Sequence, residues 1–117
     1  MTPEPAATDQ NPDEVTVHDM RRALTDQGLG IRVIDVREPD EYQIARIDGV
    51  ALFPLSVLPQ RFTELDPNQQ LYIHCKSGVR SMKALRFLRE QGFKYVKSVR
   101  GGIAAWSDEI DPAVPKY

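Results

Sequence analysis

Residues 71–80 read Leu71-Tyr72-Ile73-His74-Cys75-Lys76-Ser77-Gly78-Val79-Arg80. The first four residues are typical of a short buried strand, and residues 81–91 carry a helical pattern that ends at Gly92. The six residues from Cys75 to Arg80 therefore form a strand-to-helix loop, in which backbone N–H groups and the positive end of a helix can converge on one point. That point is the sulfur of the only cysteine in the chain, which is flanked by two cations.

Strand and helix patterns alternate on both sides of this loop. Strands are predicted at Arg32–Val36, Val50–Phe53, Leu71–His74 and Tyr95–Val99. Helices are predicted at Val17–Gln27, around Tyr42 and Ile44, from a cap at Ser56 through Leu65, at 81–91, and at Ile103–Ile110. Such alternation over short connections predicts an α/β fold, with a parallel sheet, right-handed crossovers and helices on both faces. Sites in these sheets lie at the carboxyl ends of the strands, where we expect Cys75, Asp35 and Arg37.

Length and composition restrict the remaining possibilities. With 117 residues, the chain is expected to form one domain at residues 15–117, after a proline-rich tail or linker at residues 1–14. Residues 111–117 are expected to run extended. A net charge of −2 gives no sign of nucleic-acid binding, and no apolar run is long enough for a membrane helix, so we expect a soluble cytoplasmic chain. A single cysteine excludes an internal disulfide and a multi-cysteine zinc site.

The loop favours chemistry that needs an activated thiolate but no general base. A helix N-terminus and nearby cations favour a thiolate over a thiol, and Gly78 lets the chain turn with positive φ so that amides converge on the sulfur. His74 is adjacent to Cys75 in a strand and therefore points to the opposite face, while His18 lies near the first helix. Exchange of a sulfane sulfur needs no base, whereas acyl hydrolysis does. A reductase that resolves through a second cysteine is excluded by the count.

Three separated motifs resemble the rhodanese family of sulfurtransferases. They are Ile34-Asp35-Val36-Arg37-Glu38-Pro39 with Glu41-Tyr42, Cys75-Lys76-Ser77-Gly78-Val79-Arg80-Ser81, and Gly101-Gly102-Ile103-Ala104-Ala105-Trp106. The resemblance implies a five-stranded parallel sheet, with Cys75 as the nucleophile that forms a persulfide. It also implies an anion cradle made by Lys76, Ser77, Gly78, Val79 and Arg80, and it implies no cofactor and no metal.

Residues outside the loop are interpreted as structural. Asp35 and Arg37 are expected to form an ion pair that supports the loop, in preference to a direct part in catalysis. Trp106, Tyr42 and Phe53 are expected in the core, and His74 on the other face of its strand.

The C-terminal sequence narrows the resemblance. Glu109-Ile110-Asp111-Pro112 and Val114-Pro115-Lys116-Tyr117 resemble the end of the C-terminal rhodanese domain of adenylyltransferases that activate ubiquitin-like sulfur carriers for molybdopterin, thiamine or thiolated-tRNA synthesis. The resemblance implies thiosulfate or a cysteine-desulfurase persulfide as donor, and a ubiquitin-like sulfur-carrier protein as one acceptor. Both a domain of such an enzyme and a free-standing rhodanese fit the sequence.

Two other functions are kept as alternatives. The first is a docking module that uses the rhodanese fold with an idle cysteine. The second is a small phosphatase or an arsenate reductase. The six-residue loop argues against a phosphatase, because the related phosphatases of the Cdc25 type have a loop that is one residue longer. The absence of a second cysteine argues against an arsenate reductase.

Overall fold

Five strands and five α-helices alternate along the part of the chain that the computed structural model describes, residues 11–117. The strands are β1 (Glu14–Val15), β2 (Ile31–Asp35), β3 (Ala51–Leu52), β4 (Gln70–His74) and β5 (Val96–Val99). The helices are α1 (Val17–Thr25), α2 (Pro39–Ile44), α3 (Leu58–Arg61), α4 (Val79–Glu90) and α5 (Gly102–Glu109). Short 3₁₀ turns occupy Gln27–Leu29, Leu55–Val57 and Phe62–Glu64. None of these helices is both long and apolar enough to cross a membrane.

The strands form one parallel sheet in the order β1-β5-β4-β2-β3, which confirms the predicted α/β fold. Side chains alternate between its two faces, as the two-residue period of a strand requires. On β2, Ile34 joins a core that is shared with α3 and α4, while the preceding Val33 joins a second core that is shared with α1 and α5. Cys75 belongs to the first core, and Trp106 to the second. The interpretation of Trp106 as a core residue is therefore confirmed.

The bounds of several predicted helices differ from the structure. The helix after Cys75 begins at Val79 instead of Ser81, so Val79 and Arg80, which were predicted in the loop, lie in its first turn. The first helix of the chain ends at Thr25 instead of Gln27, because Asp26 leaves the helix and its side chain accepts a hydrogen bond from the Gly28 amide at 3.0 Å. The predicted helix from Ser56 to Leu65 is broken into a 3₁₀ turn, α3 and a second 3₁₀ turn. Pro59 has no N–H to donate, so a continuous α-helical ladder cannot form there. Ser56 caps no helix; its hydroxyl donates to Glu38 Oε1 at 3.0 Å.

Both ends of the domain were incompletely predicted. Most of the predicted tail, residues 1–10, lies outside the described residues, but Glu14 belongs to β1, where it is in register with Ser98 of β5. At the other end, residues 111–117 do not run extended. Asp111 accepts hydrogen bonds from the Ala113 and Val114 amides at 3.0 and 3.1 Å, which forms a turn. This turn sends the chain back along α5 towards the carboxyl ends of the strands.

Candidate active site

The thiol of Cys75 lies at the carboxyl end of β4 and is 1% exposed. Its Sγ accepts hydrogen bonds from the Gly78 amide at 3.0 Å and from the Ser81 amide at 3.4 Å. Gly78 has φ +116°, a conformation that a glycine adopts readily and that lets the loop close under the first turn of α4. Two backbone amides therefore converge on the sulfur at the start of α4.

The loop is anchored by the start of α5. The Ile103 amide donates to the carbonyl oxygen of Cys75 at 2.9 Å, and the Ala104 amide donates to that of Lys76 at 3.1 Å. This close approach requires Gly102, which has φ +52° and where an added Cβ would lie 2.2 Å from the Cys75 oxygen. The Gly101-Gly102 pair of the third motif therefore holds the cysteine loop in place, a role that sequence reasoning did not assign.

Two serines lie behind the sulfur. Ser81 Oγ is 3.5 Å from Cys75 Sγ, donates to the Gly78 carbonyl at 3.1 Å, and is 2.7 Å from Ser98 Oγ on β5. Both serines are fully buried, so this network fixes the loop against the sheet. Ser98 lies in an ordinary strand pattern, and nothing in that pattern indicates that its hydroxyl meets Ser81.

Asp35 and Arg37 form the predicted structural ion pair. Both are fully buried, and Arg37 donates from Nε and Nη2 to the Asp35 carboxylate at 3.0 and 2.7 Å. Arg37 Nη2 also donates to the carbonyl of Ala45 at 2.7 Å, which ties the end of α2 to the sheet. The pair lies at the carboxyl end of β2, as expected.

His74 is fully buried and serves the structure of the strand end. Its Nδ1 lies 3.2 Å from the carbonyl oxygen of Cys75, and its Nε2 lies 3.8 Å from Asp35 Oδ2. Burial lowers the pKa of His74, so the ring is neutral at pH 7. The Nε2 atom of His18 lies 3.1 Å from Glu109 Oε1, at the C-terminal end of α5.

Arg80 is held by an acidic residue of α2 that was quoted in the first motif but not assigned to the site. Its Nη1 and Nη2 atoms donate to Glu41 Oε1 and Oε2 at 2.5 and 2.8 Å, a bidentate pair. The Arg80 hydrogen bonds lower the pKa of Glu41 to about 2, so the carboxylate is charged at neutral pH. Glu41 also accepts from the Glu38 amide at 3.0 Å.

Tyr117 reaches the same group from the C-terminal segment. Its hydroxyl donates to Glu41 Oε2 at 2.8 Å and accepts from Arg37 Nη1 at 2.9 Å. Its ring lies beneath the Lys76 ammonium, with Nζ 4.4 Å from the ring centroid. A chain of polar contacts thus runs from the buried ion pair through Tyr117 and Glu41 to Arg80.

The outer residues of the loop are more accessible than the sulfur. Ser77 is exposed, Val79 is 65% exposed, and Lys76 is half-buried. A cavity of about 110 Å³ lies beside Lys76. Its lining comes from the start of α5 and the C-terminal segment: Ile103, Ala104, Pro115, Lys116 and Tyr117. The outer side of the loop is therefore accessible to solvent, whereas the sulfur is buried.

The fold and the site together define a parallel α/β domain that holds a cysteine in the loop between a strand and a helix. A family model described as "Rhodanese-like domain" matches residues 16–109, and the chain belongs to that family. The fold is shared with a crystal structure of a rhodanese-related protein from Thermoplasma volcanium, which has a TM-score of 0.73 and 28% identity over 87% of this chain and 96% of that one.

Two curated relatives are longer proteins. "Rhodanese-like/PpiC domain-containing protein 12, chloroplastic" of Arabidopsis thaliana is 41% identical over 90 residues, which cover 74% of this chain and 30% of that protein. "Probable adenylyltransferase/sulfurtransferase MoeZ" of Mycobacterium tuberculosis is 34% identical over 105 residues, which cover 88% of this chain and 26% of that protein. The chain thus spans under a third of the length of either relative.

Proposed function

We propose that the chain is a sulfurtransferase that carries sulfane sulfur as a persulfide on Cys75. The observation that carries this proposal is the pair of amide hydrogen bonds from Gly78 and Ser81 to Sγ. They stabilise a thiolate without a general base, and in the described residues no histidine hydrogen-bonds the sulfur. Sulfane exchange is the thiol chemistry that this arrangement supports best, because the leaving groups need no protonation.

The transfer has two balanced steps. The Cys75 thiolate attacks the outer sulfur of thiosulfate, a sulfur–sulfur bond forms, and the bond to the sulfonate sulfur breaks as sulfite leaves with the electron pair. The product is the persulfide anion of Cys75, and the total charge is unchanged. A nucleophile then attacks the outer sulfur of that persulfide and releases the thiolate. With a persulfide donor the first step is the same, and a thiolate leaves in place of sulfite.

Each part of the loop has a proposed role. Gly78 and Ser81 supply amides to the sulfur, while Lys76, Ser77, Val79 and Arg80 border the side on which donors enter. Asp35 and Arg37 support the loop from beneath. Tyr117 and Glu41 extend this support to Arg80.

A ubiquitin-like sulfur-carrier protein is the acceptor that we propose for this chain. Support comes from the relative named as an adenylyltransferase/sulfurtransferase and from the C-terminal sequence that resembles such enzymes. In that reaction the persulfide attacks the adenylylated C-terminus of the carrier and AMP leaves, which forms an acyl disulfide. An external thiol then attacks the Cys75 sulfur of this disulfide, so the thiocarboxylate leaves with the electron pair and Cys75 remains in a mixed disulfide with that thiol. A cysteine desulfurase is the proposed protein donor.

The test is intact-mass spectrometry of the protein after thiosulfate and then after cyanide, alongside Cys75→Ser. We expect the parent to gain one sulfur atom that cyanide removes as thiocyanate, and the variant to gain none. A desulfurase persulfide is used as a second donor. A parent that takes up sulfur from neither donor would contradict the proposal and favour the docking module. Turnover of an artificial phosphoester would instead favour a phosphatase.

A further inference from the structure

The two cations of the loop differ in whether their charge is available to a donor. Arg80 forms a bidentate ion pair with a carboxylate, with its Nη1 and Nη2 atoms 2.5 and 2.8 Å from the Glu41 oxygens. The Lys76 ammonium faces the ring of Tyr117, which carries no net charge. The Arg80–Glu41 pair is neutral as a unit, so the net positive charge that this part of the loop offers comes from Lys76.

The Glu41 carboxylate is held against Arg80 by hydrogen bonds from three different groups. Besides Arg80, the amide of Glu38 and the hydroxyl of Tyr117 donate to its carboxylate at 3.0 and 2.8 Å. The Glu41 side chain is 17% exposed, so little water can replace these donors. Movement of the carboxylate away from Arg80 would break several charge-assisted hydrogen bonds at once. An incoming anion must therefore compete with a fixed intramolecular carboxylate for the Arg80 guanidinium.

Donors differ in how much this competition matters. Thiosulfate carries two negative charges, and a persulfide donor carries one on its sulfur pair. Because Glu41 neutralises Arg80, each negative charge on a donor is attracted less by Arg80 and is also repelled by the Glu41 carboxylate. A dianion carries two such charges, so its binding is weakened more than that of a monoanion. The amide donors of Gly78 and Ser81 act on the sulfur itself and serve both kinds of donor.

We infer that Glu41 is a specificity-determining residue, which neutralises Arg80 and thereby favours singly charged persulfide donors over the dianion thiosulfate. This inference rests on the proposed function, because it concerns the donor of the same Cys75 site. Glu41 acts through Arg80 and is a positioning residue. Tyr117 fixes Glu41 in place, so the C-terminal segment contributes to donor choice.

The test compares donors that share one chemistry and differ in charge. When a thiolate takes the outer sulfur of thiosulfate, a dianion, sulfite leaves. When it takes the outer sulfur of methanethiosulfonate, a monoanion, methanesulfinate leaves. In Glu41→Gln we expect the ratio of kcat/KM for thiosulfate to that for methanethiosulfonate to rise at least about fivefold, through KM, and to fall with added salt. Glu64→Gln is the matched control, since Glu64 pairs with Arg61 in an exposed Arg–Glu pair outside the loop. It should leave the ratio unchanged.

A second variant removes the pair as a whole and so leaves no unpaired charge. Arg80→Ala alone leaves the Glu41 carboxylate without its cation. We expect it to lower the ratio of kcat/KM for thiosulfate to that for methanethiosulfonate, which is called the donor ratio below. In Arg80→Ala/Glu41→Gln the ratio should return to within about threefold of the parent value. A double variant that keeps the low ratio of Arg80→Ala would show that Arg80 binds the donor directly and would overturn the inference.

A binding measurement covers variants that do not turn over. Sulfate, an unreactive dianion, is titrated into Cys75→Ser and into Cys75→Ser/Glu41→Gln. We expect binding at least about fivefold tighter in the double variant, and equal affinities would overturn the inference. The two proposals fail in different ways. If wild type is loaded with sulfur but the donor ratio does not respond to Glu41→Gln, only the inference fails. If no donor loads Cys75, the proposed function fails, and the donor preference fails with it.

Discussion

Gly102 lies so close to Cys75 that a Cβ atom on Gly102 would sit 2.2 Å from the Cys75 carbonyl oxygen. The same Cβ would lie 2.7 Å from the carbonyl oxygen of Lys76. Both contacts are with backbone atoms, which cannot move aside as a flexible side chain can. Cys75 and the last helix are therefore in direct backbone contact, and Gly102 is the residue that permits it.

Gly102→Ala should unfold the cysteine loop. The clash adds to the strain of a positive φ, and we expect a loss of at least about 3 kcal/mol in the free energy of unfolding. Gly30→Ala is the control, because Gly30 has φ +66° but no atom within 4 Å of its Cβ position. It should cost about 1 kcal/mol. Guanidinium titration measures both, and equal losses would show that the contact with Cys75 is unimportant.

Tyr117→Phe should loosen the link between the C-terminal segment and the loop. The change removes the hydrogen bond to Glu41 and leaves one N–H of the buried Arg37 without its hydroxyl partner. We expect a loss of about 1–2 kcal/mol, measured by denaturant titration. Tyr95→Phe is the control, since Tyr95 is 50% exposed, and it should change stability by less than about 0.5 kcal/mol. Matching losses in the two variants would contradict a special role for Tyr117.

Glu41 should contribute to stability in a pH-dependent way. Its pKa in the folded chain is about 2, below its ordinary value of 4.5. The charged form is thus stabilised by folding, so the contribution is complete above pH 4.5 and is lost as the pH falls towards 2. Because the Arg80 side chain is 30% exposed, solvent screening limits the contribution to about 1–2 kcal/mol.

The difference in unfolding free energy between the parent and Glu41→Gln measures this contribution at each pH. We expect that difference to shrink between pH 4.5 and about 2. In Glu64→Gln, the exposed counterpart, the change over the same range should be much smaller. A parent–variant difference that stays constant with pH would exclude the proposed charge effect.

Arg37→Met should be strongly destabilising. The substitution leaves the fully buried Asp35 carboxylate without its charge partner, and we expect a loss of about 3–5 kcal/mol. Asp35→Asn/Arg37→Met should recover part of that loss, because the double variant buries no unpaired charge. Thermal unfolding of the two variants tests this. If the loss of stability in the double variant equals the sum of the losses in Arg37→Met and Asp35→Asn, the two residues are not coupled.

Local patterns were enough to predict the main elements and the position of the thiol. The capping box that opens α1 joins the side chains of Thr16 and Asp19, which are three residues apart, so it is a local pattern of this kind. The strand β4, the loop after it and the positive φ of Gly78 are determined by residues that are adjacent in sequence, so a local pattern predicts them. Asp35 and Arg37 were expected to pair because they are two residues apart at one strand end.

Long-range contacts could not be predicted in the same way. Strand β1 has two residues and exists because Glu14 and Val15 pair with Ser98 and Val99, more than eighty residues away. The return of the C-terminal segment depends on a turn at Asp111 and on the hydroxyl of Tyr117 meeting Glu41. The helical position of Glu41 was readable, but its partner Arg80 lies in another helix. No spacing rule connects them.

The anchoring of the loop by Ile103 and Ala104 has a consequence for how the chain acquires a protected thiol. The amides that fix Cys75 and Lys76 lie close to the end of the domain, so a growing chain that has made only its first four strands cannot complete the loop. A chain in which α5 is not docked lacks the two hydrogen bonds that hold the Cys75 and Lys76 carbonyls, and we expect its thiol to react faster with an alkylating reagent. We therefore expect the alkylation rate of Cys75 to report, at a single residue, whether α5 is docked on the loop.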